Sequence, residues 1–154
     1  MAPPRLLLVF HSRAGTTERL ATAVADGART GAPSLDLSVL DCFAAQPGDV
    51  LDAAALLLGT PARFGYMSGA MKDFFERIYH PCLEATAGRP YGLFVKGDTD
   101  VDGAVSSVER IVVGLRWRRV LPPLTVVGDL TEADLEAGFE LGATLAAGIE
   151  AGIF

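Results

Sequence analysis

Three short stretches of the chain hold residue types that could do chemistry. Ser12-Arg13-Ala14-Gly15-Thr16-Thr17 gathers hydroxyls, a guanidinium and a glycine. A phosphate needs donors that converge without crowding. Hydroxyls and the free N–H groups of a helix start supply them, and the helix dipole adds a favourable field. Gly15 permits close approach. The same residues also fit an ordinary helix N-cap. The stretch is neither a P-loop, lacking G-K-[ST], nor a dinucleotide fingerprint, lacking G-x-G-x-x-G. The second stretch, Gly59-Thr60-Pro61-Ala62-Arg63-Phe64-Gly65-Tyr66, sets two aromatics among turn residues and leads into Met67-Ser68-Gly69-Ala70-Met71-Lys72. The third is Lys96-Gly97-Asp98-Thr99-Asp100.

The elements around these stretches explain how they meet. Leu6-Leu7-Leu8-Val9-Phe10 is a continuous apolar run, the mark of a strand buried on both faces. Leu20, Ala21, Val24, Ala25 and Ala28 then recur at helical spacing, until Thr30-Gly31-Ala32-Pro33 stops the helix. Further strands are expected over residues 35–40, 53–58, 91–95 and 120–127, the last interrupted by Pro122-Pro123. Helices are expected over 67–79, 104–115 and 131–150, the last opened by Thr131 with Asp134 in place of the usual Glu or Gln of a capping box. Five strands alternating with helices imply right-handed crossovers and one α/β domain over residues 1–154. Its three layers enclose a doubly wound, five-stranded parallel sheet of order 2-1-3-4-5. That order opens a crevice outside the carboxyl ends of strands 1, 3 and 4, where all three loops emerge.

At this point a family resemblance becomes specific. Gly59-Thr60-Pro61-x-Arg63-Phe64-Gly65, followed by Ser68-Gly69-x-Met71-Lys72-x-Phe74, resembles the second flavin loop and following helix of the flavodoxin-like FMN proteins. It is most similar to the Trp-repressor-binding-protein type of NAD(P)H:quinone reductase. The resemblance implies bound FMN. Its phosphate would be held by Ser12, Arg13, Ala14, Gly15, Thr16 and Thr17. Its ring would lie against Thr60, Pro61, Ala62, Arg63, Phe64, Gly65 and Tyr66, with backbone contacts from Gly97 and Asp98. A flat tricyclic ring suits the aromatic face of Phe64 or Tyr66, although both also fit a reading as core aromatics. The third stretch is shorter than the Gly/Ser/Thr-rich loop of the quinone reductases, which implies a more open site.

The implied function is redox. An enzyme of this kind would move hydride from NAD(P)H through flavin to a quinone or similar acceptor, with no catalytic side chain acting as acid or base. A flavodoxin-type carrier would instead pass electrons between protein partners, and a flavin-free interaction domain would bind none. Asp98, Asp100 and the net charge of −6 are expected to disfavour an anionic reduced flavin and to lower its couple below that of the free cofactor.

Several alternatives fall away. Asp98-x-Asp100-x-Asp102-Gly103 with Glu109 matches the EF-hand loop pattern, but a strand precedes it. Glu109 should also lie ~10 Å along the next helix. His80-Pro81-Cys82 lacks further ligands at zinc spacing; His80 reads as a helix-end residue and Cys82 as a packed thiol. No metal site is expected. A receiver domain needs acids where His11-Ser12 and Thr60-Pro61 stand, and a Cys-based phosphatase needs a Cys opening the first loop. Arg116, Arg118 and Arg119 around Trp117 are too thin a basic footprint for nucleic acid. Cys42 and Cys82 make no disulfide framework and read as reduced, partly buried thiols of a cytoplasmic protein. No apolar run reaches the ~18 residues a membrane span needs, and Met1-Ala2-Pro3-Pro4-Arg5 lacks the marks of a signal peptide. The apolar tail, Ile149 to Phe154, is expected either to pack internally or to form the seam of a homodimer.

Overall fold

A computed structural model describes residues 2–154 of the protein. The elements run β1 (Arg5–Phe10), α1 (Thr16–Gly31), β2 (Asp36–Asp41), α2 (Pro47–Asp52), β3 (Ala55–Pro61), α3 (Gly69–Cys82), β4 (Pro90–Gly97), α4 (Val101–Leu115), β5 (Arg118–Arg119), β6 (Leu124–Val127) and α5 (Glu132–Glu150). All strand pairs are parallel, in the order β2-β1-β3-β4-β5, with β6 also on β4.

The expected strand order is observed, and the apolar runs explain it. Side chains alternate across the sheet, so each run must be apolar on both sides. Leu7, Val9, Leu56, Leu58, Leu93 and Val95 meet α3 and α4 on one face. Leu6, Leu8, Ala55, Leu57 and Phe94 meet α1 and α5 on the other. Each fully buried Leu contributes roughly 2 kcal/mol through removal of apolar area from water.

The last strand differs from expectation. It is two pieces: Arg118–Arg119 pairs with Pro90–Tyr91, and Leu124–Val127 pairs with Phe94–Gly97. Pro122 and Pro123 between them have no N–H to give the ladder, so the edge breaks there. The short helix α2 was not anticipated. Six residues are too few to show a period. Its one signal is Pro47 at the first turn and Asp49, whose carboxylate accepts from the Gln46 N–H at 2.8 Å. At α5 the Thr131–Asp134 capping box is present as read.

Helices α1 and α5 come backbone to backbone where glycines face the partner helix. A Cβ on Gly27 would fall 1.9 Å from the Phe139 carbonyl oxygen, and one on Gly142 would fall 1.9 Å from that of Val24. At the opposite face, Trp117 anchors the end of α4, its indole N–H donating to Thr86 Oγ1 at 2.8 Å. Both cysteine side chains are fully buried rather than partly so. Burial in apolar surroundings pushes the Cys42 thiol up to about 12, with Asp41 adding to the effect, and raises Cys82 as well.

Candidate functional site

The loops after β1, β3 and β4 surround one open cleft of about 150 Å³. Its wall is formed by Arg13, Ala14, Thr16 and Thr17 from the first loop and helix start, Pro61 at the end of β3 with Ala62 and Arg63 of the loop after it, and Lys96 and Gly97 at the end of β4 with Asp98 of the third loop. Pockets that engulf a ligand usually exceed ~300 Å³. This cleft can therefore hold one end of a nucleotide while the rest lies against its open lip.

The first loop is built for an anion. Gly15 is the N-cap of α1, with φ +90°, and no side chain caps the helix. Its first-turn N–H groups are left without a side-chain acceptor, and Thr16 and Thr17 of that turn line the cleft. The Arg13 guanidinium joins them. Exposed N–H groups, two hydroxyls and a cation are the donor set a phosphate requires. Ser12 has a different place. Its Oγ accepts from the Gly15 N–H at 3.1 Å and braces the turn from behind. His11, one residue earlier, has Nδ1 3.4 Å from Asp41 Oδ2 and meets Phe43 edge-on.

The second loop is a tight hairpin. Arg63 N–H donates to the Tyr66 carbonyl at 2.8 Å, and Tyr66 N–H returns a bond to Arg63 at 3.0 Å. Phe64 and Gly65 between them both have positive φ, +54° and +68°, the pattern of a type I′ turn. Pro61, Ala62 and Arg63 reach the cleft. Phe64, Gly65 and Tyr66 do not form its wall. Phe64 is fully exposed at the hairpin tip and Tyr66 is 42% exposed, so neither is a core aromatic. The Arg63 guanidinium lies 5.9 Å from the centre of the Phe64 ring.

Thr60 has no exposed surface, and both roles of its hydroxyl are taken. It donates to the Pro61 carbonyl at 2.9 Å and accepts from the Ser68 N–H at 2.9 Å. It shapes the loop and offers no side-chain contact to a ligand. Ser68 in turn caps α3, accepting from the Met71 N–H at 3.1 Å, which starts that helix two residues later than its periodicity predicts.

The third loop is only residues 98–100. Helix α4 begins at Val101, three residues before the expected start, because Asp100 caps it by accepting from the Gly103 N–H at 3.0 Å. This geometry also disposes of the EF-hand pattern, since Glu109 lies on α4 and is ion-paired with Arg119. Lys96 is named in the third stretch, but the sequence assigns it no ligand contact, and the structure sets it in the cleft wall. It ends a strand, and nothing local says its side chain points toward the phosphate loop. Ala62 N–H donates to the Lys96 carbonyl at 2.8 Å, which joins the second and third loops. The charge expectation changes locally: three cations and one carboxylate line the cleft, although the whole chain carries −6.

Comparison with known proteins agrees with this geometry. The flavodoxin family matches residues 8–142. An NAD(P)H dehydrogenase (quinone) of Archaeoglobus fulgidus is 35% identical over 95 residues, covering 47% of this chain and 50% of that protein. This chain thus spans half the length of that relative. A protein of the same description from Caulobacter vibrioides is 26% identical over 166 aligned positions, covering 94% of this chain and 83% of its own length. Among solved structures, a flavodoxin from the domain Archaea superposes with a TM-score of 0.84 at 18% identity, covering 95% of this chain and 99% of that one. The match over residues 8–142 takes in all three loops and nearly all of the sheet, and it makes this chain a member of the flavodoxin family, with FMN as its cofactor.

Proposed function

We propose that this chain is an FMN-dependent NAD(P)H oxidoreductase that reduces a quinone or similar small acceptor, acting as one domain in the cytoplasm. The observation that carries this reading is the shared cleft, lined by Arg13, Thr16 and Thr17 together with Pro61, Ala62, Arg63, Gly97 and Asp98. The nicotinamide donor and quinone acceptor are drawn from relatives described as NAD(P)H dehydrogenases (quinone).

When bound, FMN supplies the two-electron chemistry that links a nicotinamide donor to a quinone acceptor. The protein's residues do the rest. Arg13, Thr16, Thr17 and the first-turn amides of α1 bind the phosphate. Pro61, Ala62 and Arg63 present a short wall for the ring edge. Lys96 neutralises charge at the cleft floor. In this reading no side chain need act as acid or base.

A second reading, a flavodoxin-type carrier that takes electrons from a reductase, is favoured by one feature. The loop after β4 is only residues 98–100, and Phe64 stands fully exposed beside the cleft. An open lip with a bare aromatic suits contact with another protein. One cuvette separates these readings. Purified protein should show bands near ~370 and ~450 nm, the absorption of bound flavin. Added NADH or NADPH should bleach them within the mixing time of the assay. Bands that persist with both nucleotides, yet bleach with a flavodoxin reductase, favour the carrier. A colourless protein that takes up no added FMN refutes both.

A further inference from the structure

We propose that the first two turns of α4, through Asp100, Gly103 and Ser107, form a seat that holds the Arg63–Tyr66 hairpin in its left-handed turn, and that this seat sets how tightly the site holds a flavin ring. The inference rests on the reading that the hairpin receives that ring. The seat residues act through the hairpin and are positioning residues.

The geometry begins with backbone conformation. Phe64 is an aromatic residue at φ +54°, a region that costs free energy for any side chain with a Cβ, and it has no buried contacts of its own to offset that cost. Something outside the hairpin must hold it. The hairpin's own backbone pair, Arg63 with Tyr66, closes the turn but leaves it free to tilt. The fixed points come from α4. A Cβ on Gly65 would fall 2.3 Å from Asp100 Oδ2, and a Cβ on Gly103 would fall 2.3 Å from the Gly65 carbonyl oxygen. The two glycines therefore let the hairpin lie directly on the first turn of the helix. Asp100 is itself left-handed, at φ +49°, and is held by its bond from the Gly103 N–H.

One turn further along, Ser107 is 7% exposed and accepts from the Met67 N–H at 3.0 Å, while its own hydroxyl donates to the Ala104 carbonyl at 2.7 Å. That bond pins the chain where it leaves the hairpin. The same exit is held on the β3 side by Thr60, through the Ser68 N–H. The hairpin is thus clamped between β3 and α4, and only the α4 side reaches its tip.

The test separates the two ends of the cofactor. Riboflavin lacks the phosphate, so its affinity reads the ring end alone, whereas FMN reads both. Ser107→Ala removes the acceptor of a buried N–H and nothing larger. It should weaken FMN and riboflavin by the same factor, roughly three- to tenfold, the cost of re-ordering a loosened segment when the ring binds. In the flavin-free protein the Met67 amide should exchange its hydrogen faster. Arg13→Ala, by contrast, should weaken FMN and leave riboflavin unchanged. If circular dichroism shows Ser107→Ala unfolded, Asp100→Gly serves instead. It keeps the left-handed backbone accessible and removes the carboxylate beside Gly65, and it should weaken both ligands equally. Unchanged riboflavin affinity in a folded seat variant overturns the seat. Wild-type protein that binds neither ligand overturns the flavin reading and the seat together.

Discussion

Lys96 Nζ lies 3.2 Å from Asp98 Oδ1, yet the two side chains meet solvent very differently, at 15% and 90% exposure. The more shielded partner is the cation. Water screens Asp98 far more than Lys96, so the pair leaves net positive potential at the cleft floor. An anionic reduced cofactor should be stabilised there, against the direction that net charge alone implies. Lys96→Gln should lower the two-electron couple by about 50 mV, taking two unit charges ~7 Å apart at an effective dielectric near 20. Asp98→Asn should raise it by less. Redox titration of both variants checks this, and a rise in Lys96→Gln rejects it.

Thr17 lines the cleft from the first turn of α1 while only 3% exposed. Thr17→Val keeps the shape and removes the donor. FMN affinity should drop about tenfold and riboflavin affinity should hold, the loss expected for one hydrogen bond to a charged group. Flavin fluorescence titration reads both constants. Equal losses for the two ligands would place Thr17 away from the phosphate.

The crossing of α1 and α5 should tolerate no added carbon. Gly142→Ala puts a methyl 1.9 Å from the Val24 carbonyl oxygen, a backbone atom that cannot swing aside. The helices must part, at a cost of roughly 2–3 kcal/mol. Urea denaturation should show a lower midpoint at an unchanged slope. A midpoint equal to wild type would mean that the pair slides freely.

Alkaline pH should weaken the fold through two buried groups. Burial pushes Cys42 from 9.0 to about 12 and Tyr91 from 10.0 to about 12, so both stay protonated in the folded state after the unfolded chain has begun to ionise. For a raised acid, this contribution is full below the unfolded value and fades as pH climbs toward the folded one. Stability should hold to about pH 9 and decline from there toward 12. Cys42→Ala should flatten the first part of that decline. Native protein at pH 8 should also resist thiol reagents at Cys42, since the neutral buried thiol is unreactive. Rapid labelling without unfolding contradicts the burial.

What the sequence determined by itself was whatever depends on near neighbours. Apolar runs such as Leu6–Phe10 can only be strands covered on both faces, and strands of that kind alternating with helices leave few arrangements besides this sheet. The Thr131–Asp134 cap is equally local, since it is satisfied within one turn. The tertiary structure decided where side chains point once distant segments meet. Thr60 reads as a ligand contact until Ser68 and Pro61 are seen to use its hydroxyl. Lys96 reads as the end of a strand until β3 and the α1 turn close around it. Glycine inside a helix is ordinarily a weak point, yet Gly27 and Gly142 are what let α1 and α5 touch backbone to backbone. A residue's type and its neighbours set what it can offer. Which offer is taken depends on the register of the sheet and the crossing of the helices, and those emerge only when the whole core packs at once.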